Sequence, residues 1–205
     1  MALSSSEVLD YWLTEVGPKG WYAGSTALDA EIRRRFAALW GSADDGALTG
    51  WIVGPDPALA YLIVTDQFPR NIWRGSDRAF ATDAKARMAT EAALQAGWDR
   101  QIPEPQRQFF YLPLMHHEDP EDQARSVALI GERMPETGAD NLLHARAHQE
   151  VIRRFGRFPY RNAALGRMST PAEVDFLENS GYAKIMAALK TQGSGPDSGP
   201  DSGPG

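Results

Sequence analysis

The sequence contains no cysteine among its 205 residues. Disulfides, thiolate metal ligands and thiol nucleophiles are therefore excluded from its fold and its chemistry. No apolar run reaches the length that crosses a bilayer, and the first residues show neither the basic nor the apolar region of a secretory signal. These absences predict a soluble, cytoplasmic protein without a membrane partner.

Motifs for common cofactors are missing as well. No glycine-rich phosphate loop, dinucleotide fingerprint or Gly-x-Ser-x-Gly elbow occurs, so we expect no cofactor and no serine-triad chemistry. The formal net charge of −6 argues against nucleic acid as a partner, because polyanions are bound by basic surfaces. The charge is unevenly distributed, however. Between Glu150 and Glu173 the chain carries arginines and no acidic residue, which suits an anion or internal carboxylates.

Helical spacing and helix-breaking residues fill most of the chain. Ser4 begins a capping box, and Asp56, Asp119 and Thr170 each precede a proline in the pattern of a helix N-cap. No segment shows strand-type alternation between hairpin turns. The sequence therefore predicts an all-α fold of stacked antiparallel helix pairs.

The C-terminal segment differs in composition from the rest. A Gly-Pro-Asp-Ser unit at 195–198 recurs at 199–202, and such a segment has nothing to bury. We predict one helical domain over residues 1–190 and a disordered tail over residues 191–205.

An arginine motif occurs twice. Residues 67–75 and residues 157–167 each contain a Phe-Pro step, then Arg-Asn, then an arginine beside a glycine. Because proline lacks an N–H and disfavours helix before it, each Phe-Pro step is predicted to end a helix. The two Arg-Asn pairs, at Arg70 and Arg161, are then expected to converge on one polar centre that includes Asp66.

Three polar residues lie in phase with apolar neighbours on predicted helices. Asp66, Gln123 and His148 each share a helical face with aliphatic residues three, four or seven positions away. A buried carboxylate must be paired or shift its pKa, so Asp66 is expected to pair with an arginine. The loop-like Trp21-Tyr22 pair is a candidate wall for a cavity.

The chain resembles DUF924, a bacterial family of unknown function, from about Val8 to Leu177. The resemblance rests on Asp66-Gln67-Phe68-Pro69-Arg70-Asn71, Tyr111-Leu112-Pro113, His116-x-Glu118, Asp122-Gln123-x-x-Ser126, Arg154 to Asn162, and Leu165-Gly166-Arg167 with Ser169-Thr170. Family members often have histidine where this chain has Tyr160. The resemblance implies a helical-hairpin superhelix similar to tetratricopeptide-repeat folds. It implies no activity.

The candidate site follows from these motifs. A cleft with surplus arginines is predicted to bind a small anionic molecule or a peptide carboxylate. The ligand-binding candidates are Asp66, Arg70, Asn71, His116, Glu118, His148, Arg161 and Asn162.

Two other interpretations of the same residues stay open. In an enzyme, His148 would be a general base oriented by Asp66 or Glu118, or His116, Glu118 and His148 would bind a metal ion. In a scaffold protein, the polar set would be an internal structural network. Binding is favoured, because no complete catalytic constellation can be assembled from the sequence.

Overall fold

The computed structural model describes residues 3–193, and every regular element among them is helical. The α-helices are α1 (Ser5–Leu9), α2 (Gly17–Gly20), α3 (Thr26–Asp44), α4 (Pro55–Leu62), α5 (Phe68–Ile72), α6 (Asp83–Ala96), α7 (Leu112–Met115), α8 (Pro120–Arg133), α9 (Ala139–Phe155), α10 (Pro171–Glu178) and α11 (Gly181–Gly193). Two π-helical segments are Asp10–Val16 and Ile63–Gln67. The 3₁₀ segments are Thr49–Trp51, Asp77–Phe80, Asp99–Gln101, Gln106–Phe110 and Pro159–Arg161.

Most of the predicted helix starts are confirmed. Ser4 and Thr170 accept hydrogen bonds within complete capping boxes, and Asp119 accepts from two backbone N–H groups of the first turn of α8. The prediction that Asp56 is an N-cap was wrong. Helix α4 begins at Pro55, so Asp56 lies inside the first turn, where a carboxylate complements the helix dipole.

Proline at position 69 does not end a helix, contrary to the prediction. The π-helical segment Ile63–Gln67 leads directly into α5, with Pro69 near the start of the new α-helix. An N–H is dispensable at that position, so proline is tolerated there. At the second copy of the motif, α9 ends at Phe155 and is capped by Gly156 in the left-handed conformation with φ 66°. The helix thus ends before the Phe-Pro step is reached, and Pro159 begins a 3₁₀ segment instead of ending a helix.

Two groups of buried apolar residues hold the helices together. The larger group includes a set of aromatic rings in which Phe68 contacts Trp12 and Phe36 at centroid distances of 5.5 and 4.6 Å. The smaller group joins α9, α10 and α11 around Phe158 and Phe176. Helix pairs α8–α9, α9–α11 and α10–α11 pack against each other. The superhelical arrangement and the single domain over residues 1–190 stay predictions.

The ends of the chain lie largely outside the described residues. Helix α11 continues to Gly193, three residues past the predicted domain end at residue 190. The boundary itself stays a prediction. The rest of the predicted tail, residues 194–205, lies outside the described residues. Within residues 3–193, no helix combines the length and apolar character that a bilayer-spanning segment requires.

Candidate functional site

Asp66 lies at the centre of a buried polar network. Its side chain is 1% exposed because the π-helical segment turns it inward with Thr65 and Gln67. His116 Nδ1 lies 2.9 and 3.0 Å from the two carboxylate oxygens, and Gln67 Nε2 donates to Oδ2 at 2.6 Å. Arg70 Nη1 lies 3.2 Å from Oδ1 and donates to the Asp66 carbonyl. Asp66 is therefore paired, as the sequence predicted.

The position of His116 depends on Gln123. His116 is the C-cap residue of α7, and the buried Gln123 on α8 donates through Nε2 to the carbonyls of Met115 and His117 at 2.7 and 2.6 Å. These bonds hold the end of α7 on both sides of His116. The helical spacing of Gln123 predicted that its side chain points inward. The sequence did not predict that this side chain hydrogen-bonds the end of α7.

The pKa values of Asp66 and His116 are both lowered, which leaves the carboxylate charged and the imidazole neutral at neutral pH. Burial raises the pKa of Asp66, but Arg70 and His116 outweigh it and bring the pKa below its usual value. Burial lowers the pKa of His116, helped by Arg70, while Asp66 opposes the change. At neutral pH His116 is thus an uncharged imidazole whose Nδ1–H faces a carboxylate. Its Nε2 then carries a lone pair.

Arg70 and Arg161 approach a shared acidic group, but that group is Asp83 and not the predicted Asp66, which of the two arginines only Arg70 contacts. Arg70 donates to both Asp83 oxygens at 2.9 and 3.0 Å, so it bridges Asp66 and Asp83. Arg161 Nη1 lies 3.9 Å from Asp83 Oδ2. The sequence did not single out Asp83, because it is the first residue of α6 and fits the ordinary preference for acids at helix starts.

Arg161 is 7% exposed and lies between two aromatic rings. Its guanidinium carbon lies 4.7 Å from the centroid of Phe80 and 4.5 Å from that of Phe158. Its Nε has no hydrogen-bond partner among the described residues. Burial lowers the pKa of Arg161, and nearby Arg70 lowers it further.

Glu118 belongs to a different contact set from His116. It accepts from the Phe158 backbone N–H at 2.8 Å and from Arg167 Nη1 at 2.6 Å. Desolvation raises the pKa of Glu118, but Arg167 and the Phe158 N–H outweigh it and leave the pKa lowered. Asn162 also contacts Arg167, accepting from Nε at 3.0 Å.

His148 does not have the carboxylate partner that the sequence predicted. Its Nδ1 faces the Met115 carbonyl at 3.3 Å, and its ring packs against Phe158 and Tyr182 at centroid distances of 5.1 and 5.7 Å. Burial lowers its pKa to about 3. The prediction that Asp66 or Glu118 orients His148 was wrong. Asp66 pairs instead with His116, which reaches it from the end of α7.

The predicted metal set is not assembled either. The ring centroids of His116 and His148 are 6.4 Å apart, but Glu118 is engaged with Arg167. Among residues 3–193, the group whose ligand atoms lie within 4.8 Å of one another is His117, Asp119 and Asp122. Arg87 contacts both His117 and Asp122, so one of the two carboxylates in that group is already paired with a guanidinium.

Asn71 lies apart from the shared centre. Its Nδ2 donates to Asp29 Oδ1 at 2.8 Å, and Arg74 donates to the same carboxylate. The first copy of the arginine motif thus splits, with Arg70 directed toward Asp83 and the other two residues toward α3.

A cavity of about 720 Å³ opens beside the histidines. His116, His144 and His148 line it, together with the Trp21-Tyr22 pair. Tyr22 donates its hydroxyl to Gln108 Oε1, and Asn141 Nδ2 donates to the same oxygen at 2.7 Å. Sequence reasoning missed Gln108, Asn141 and His144. A signal existed for His144 alone, since it lies one helical turn before His148 on α9.

This combination defines an all-helical protein with a buried Asp–His–Arg network beside a cavity. The chain belongs to DUF924, a family of bacterial proteins of unknown function, whose model matches residues 8–181. It is similar to a solved structure of a protein of unknown function from Agrobacterium tumefaciens, with 38% identity and a TM-score of 0.80. That match covers 85% of this chain and 97% of the other. No curated protein matches the chain.

Proposed function

We propose that the protein binds a small anion, a carboxylate or a phosphate, through Arg161. The observation that carries this proposal is the state of the Arg161 side chain. It is 7% exposed, its Nε lacks a partner among the described residues, and its nearest carboxylate oxygen is 3.9 Å away. A buried cation normally has a close counter-charge and satisfied donors.

Neighbouring arginines differ from Arg161 in this respect. Arg70, Arg157 and Arg167 each make two short bonds to one carboxylate, at distances from 2.6 to 3.0 Å. Their positive charges are therefore paired with carboxylates of the same chain. Arg161 is flanked by Phe80 and Phe158 instead. Aromatic rings contact the faces of a guanidinium, so its N–H groups, which lie in the plane of the guanidinium, stay available for hydrogen bonds.

Tyr160 provides a second donor for the proposed anion. Tyr160 is 45% exposed and directly precedes Arg161 in the 3₁₀ segment Pro159–Arg161. Desolvation raises the pKa of Tyr160 to about 12, although Arg161 and Arg70 oppose the change. A protonated hydroxyl donates rather than repels, so it suits an anionic oxygen. The terminal carboxylate of a peptide has the same chemistry as a small carboxylate and could occupy the same site.

Anion titration tests this proposal. Inorganic phosphate and succinate are titrated into the full chain by calorimetry, and thermal melts are recorded with and without each anion. We expect binding and an increase in Tm for the wild type, and loss of both in Arg161→Gln.

Arg125→Gln is the matched control. Arg125 is half-exposed and bonded to Glu91 at 2.8 Å, so removing its charge should leave anion binding unchanged. Equal binding by Arg161→Gln and the wild type would contradict the proposal. A large fall in Tm for Arg161→Gln, with no effect of anions on the wild type, would favour the scaffold interpretation.

A further inference from the structure

The cavity beside His116 holds a group that anion binding at Arg161 does not use. His116 lines the cavity, and its Nδ1 is held by both Asp66 oxygens at 2.9 and 3.0 Å. A carboxylate at Nδ1 fixes the proton there, which leaves the Nε2 lone pair as the reactive position. Among the described residues, no hydrogen bond engages Nε2.

Asp66 is itself held in place. Gln67 donates to Oδ2 at 2.6 Å and Arg70 lies 3.2 Å from Oδ1, so the carboxylate stays ionised and cannot rotate freely. If His116 accepts a proton at Nε2, the resulting imidazolium lies against a fixed negative charge. This is the arrangement by which a carboxylate supports a histidine general base.

The walls of the cavity indicate what kind of molecule fits. Trp21, Leu112 and Met115 supply apolar surface, and the hydroxyl and amide groups of Tyr22 and Asn141 already donate to Gln108. A second imidazole, His148, also lines the cavity with its Nδ1 held by a carbonyl. The Nε2 atoms of His116 and His148 are acceptors, and Asp140, His144 and Lys190 add further polar groups to the lining. A ligand with an apolar ring and a donor group complements such a site.

We propose that His116 is a general base for a small phenolic molecule bound in this cavity, and that Asp66 is its positioning residue. In the step, the phenolic O–H bond breaks, the proton passes to His116 Nε2, and the electron pair stays on the phenolate oxygen. The imidazolium is stabilised by Asp66, and deprotonation to solvent restores the neutral ring. Phenols are the fitting class, because a hydroxyl with a pKa near 10 exchanges a proton with imidazole far more readily than an aliphatic alcohol does.

The probe for this inference is 4-nitrophenol, whose ionised form absorbs visible light. It is titrated into the full chain at a pH below its own pKa, and binding is followed by calorimetry and absorbance. We expect the wild type to bind it and to increase the absorbance of the ionised form. His116→Gln should bind roughly tenfold more weakly, as expected for one lost hydrogen bond, without the absorbance increase.

Two further variants sharpen the test. His117→Gln is the control, because the neighbouring histidine bonds to Asp122 and does not line the cavity. Asp66→Asn should retain much of the binding yet lose the absorbance of the ionised form, a change that a purely structural role would not produce. Thermal melts verify that each variant is folded.

Two results would overturn the inference: no binding by the wild type, or equal binding and ionisation in His116→Gln. The outcome is separable from the anion proposal. Phosphate binding that depends on Arg161 can fail while 4-nitrophenol binding survives, and the reverse also holds.

Discussion

At the scale of single residues, the half-buried histidines His116 and His148 make folding depend on pH. Burial lowers the pKa of His148 to about 3, against 6.5 for an ordinary imidazole, and lowers that of His116 as well. In the unfolded chain both rings take up a proton as the pH falls below 6.5. In the folded chain His148 stays neutral until about pH 3, so falling pH favours the unfolded state across this interval.

We therefore predict that the free energy of unfolding decreases between pH 6.5 and about pH 5, a window above the range where most carboxylates titrate. The contribution of His148 is up to about 1.4 kcal/mol per pH unit, the value for one proton. Urea titrations at several pH values measure it. His148→Gln should give a shallower dependence. An unchanged slope in that variant would mean that His148 does not resist protonation in the fold.

The partners of these side chains could be predicted only in part. The helical phase of Asp66 and His148 correctly turned both inward, because one helix determines that direction. Which histidine meets Asp66 depends on how the end of α7 is held against α8, and that contact joins segments far apart in sequence. Helical periodicity therefore predicted the direction of each side chain, but it could not predict that Asp66 pairs with His116.

At the scale of elements, helix ends set the direction of the arginine-bearing segments. Gly156 ends α9 with φ 66°, and the chain then turns into the 3₁₀ segment that carries Arg161. A residue with a Cβ is strained in this left-handed conformation. Glycine is thus required by the backbone at this turn, although a Cβ would meet no atom within 4 Å.

Two glycine substitutions should have opposite effects on stability. Gly156→Ala is expected to lower the free energy of unfolding by about 1 kcal/mol, because alanine adopts positive φ at a cost. Gly41→Ala lies within α3, has open space around its Cβ and should raise stability by roughly 0.5–1 kcal/mol. Chemical denaturation of both variants measures the difference. Destabilisation by Gly41→Ala would show that α3 has no room at that position.

At the scale of the whole molecule, Glu118 connects the two apolar groups. It lies in the short connection between α7 and α8, and it binds the Phe158 N–H and Arg167. Phe158 belongs to the smaller apolar group, whereas Met115, just before the connection, belongs to the larger one. One carboxylate therefore fastens the second arginine motif to the remainder of the helices.

Glu118→Ala should loosen that attachment. We expect a loss of about 2 kcal/mol, since a partly buried carboxylate and its charged partner are both left incomplete. Hydrogen exchange should accelerate over residues 157–167 and stay unchanged in α3 and α4. Glu91→Ala, which removes an exposed partner of Arg125, is the control and should cost less than about 1 kcal/mol. Uniform acceleration throughout the chain would argue against a local role for Glu118.

The all-helical class was predictable from the sequence, whereas the cavity was not. Caps such as Asp119 and Thr170 are local signals, and local signals suffice to place most helices. The cavity forms between Tyr22 and the residues of α9, which are more than a hundred positions apart. The residue spacing within each segment does not predict that Tyr22 and α9 come together in the fold.

The π-helical segment Ile63–Gln67 confines one extra residue to a single turn of the chain. An i→i+5 segment accommodates one residue more than a regular α-helical turn. Five residues of π-helix and four of α-helix cover nearly the same angle about the helix axis, so deleting one of these five would leave the residues after it almost unrotated. Arg70 would keep its direction toward Asp83, and only the side chains within the segment would change direction. The extra residue therefore sets the directions of Thr65, Asp66 and Gln67 and leaves that of Arg70 unchanged.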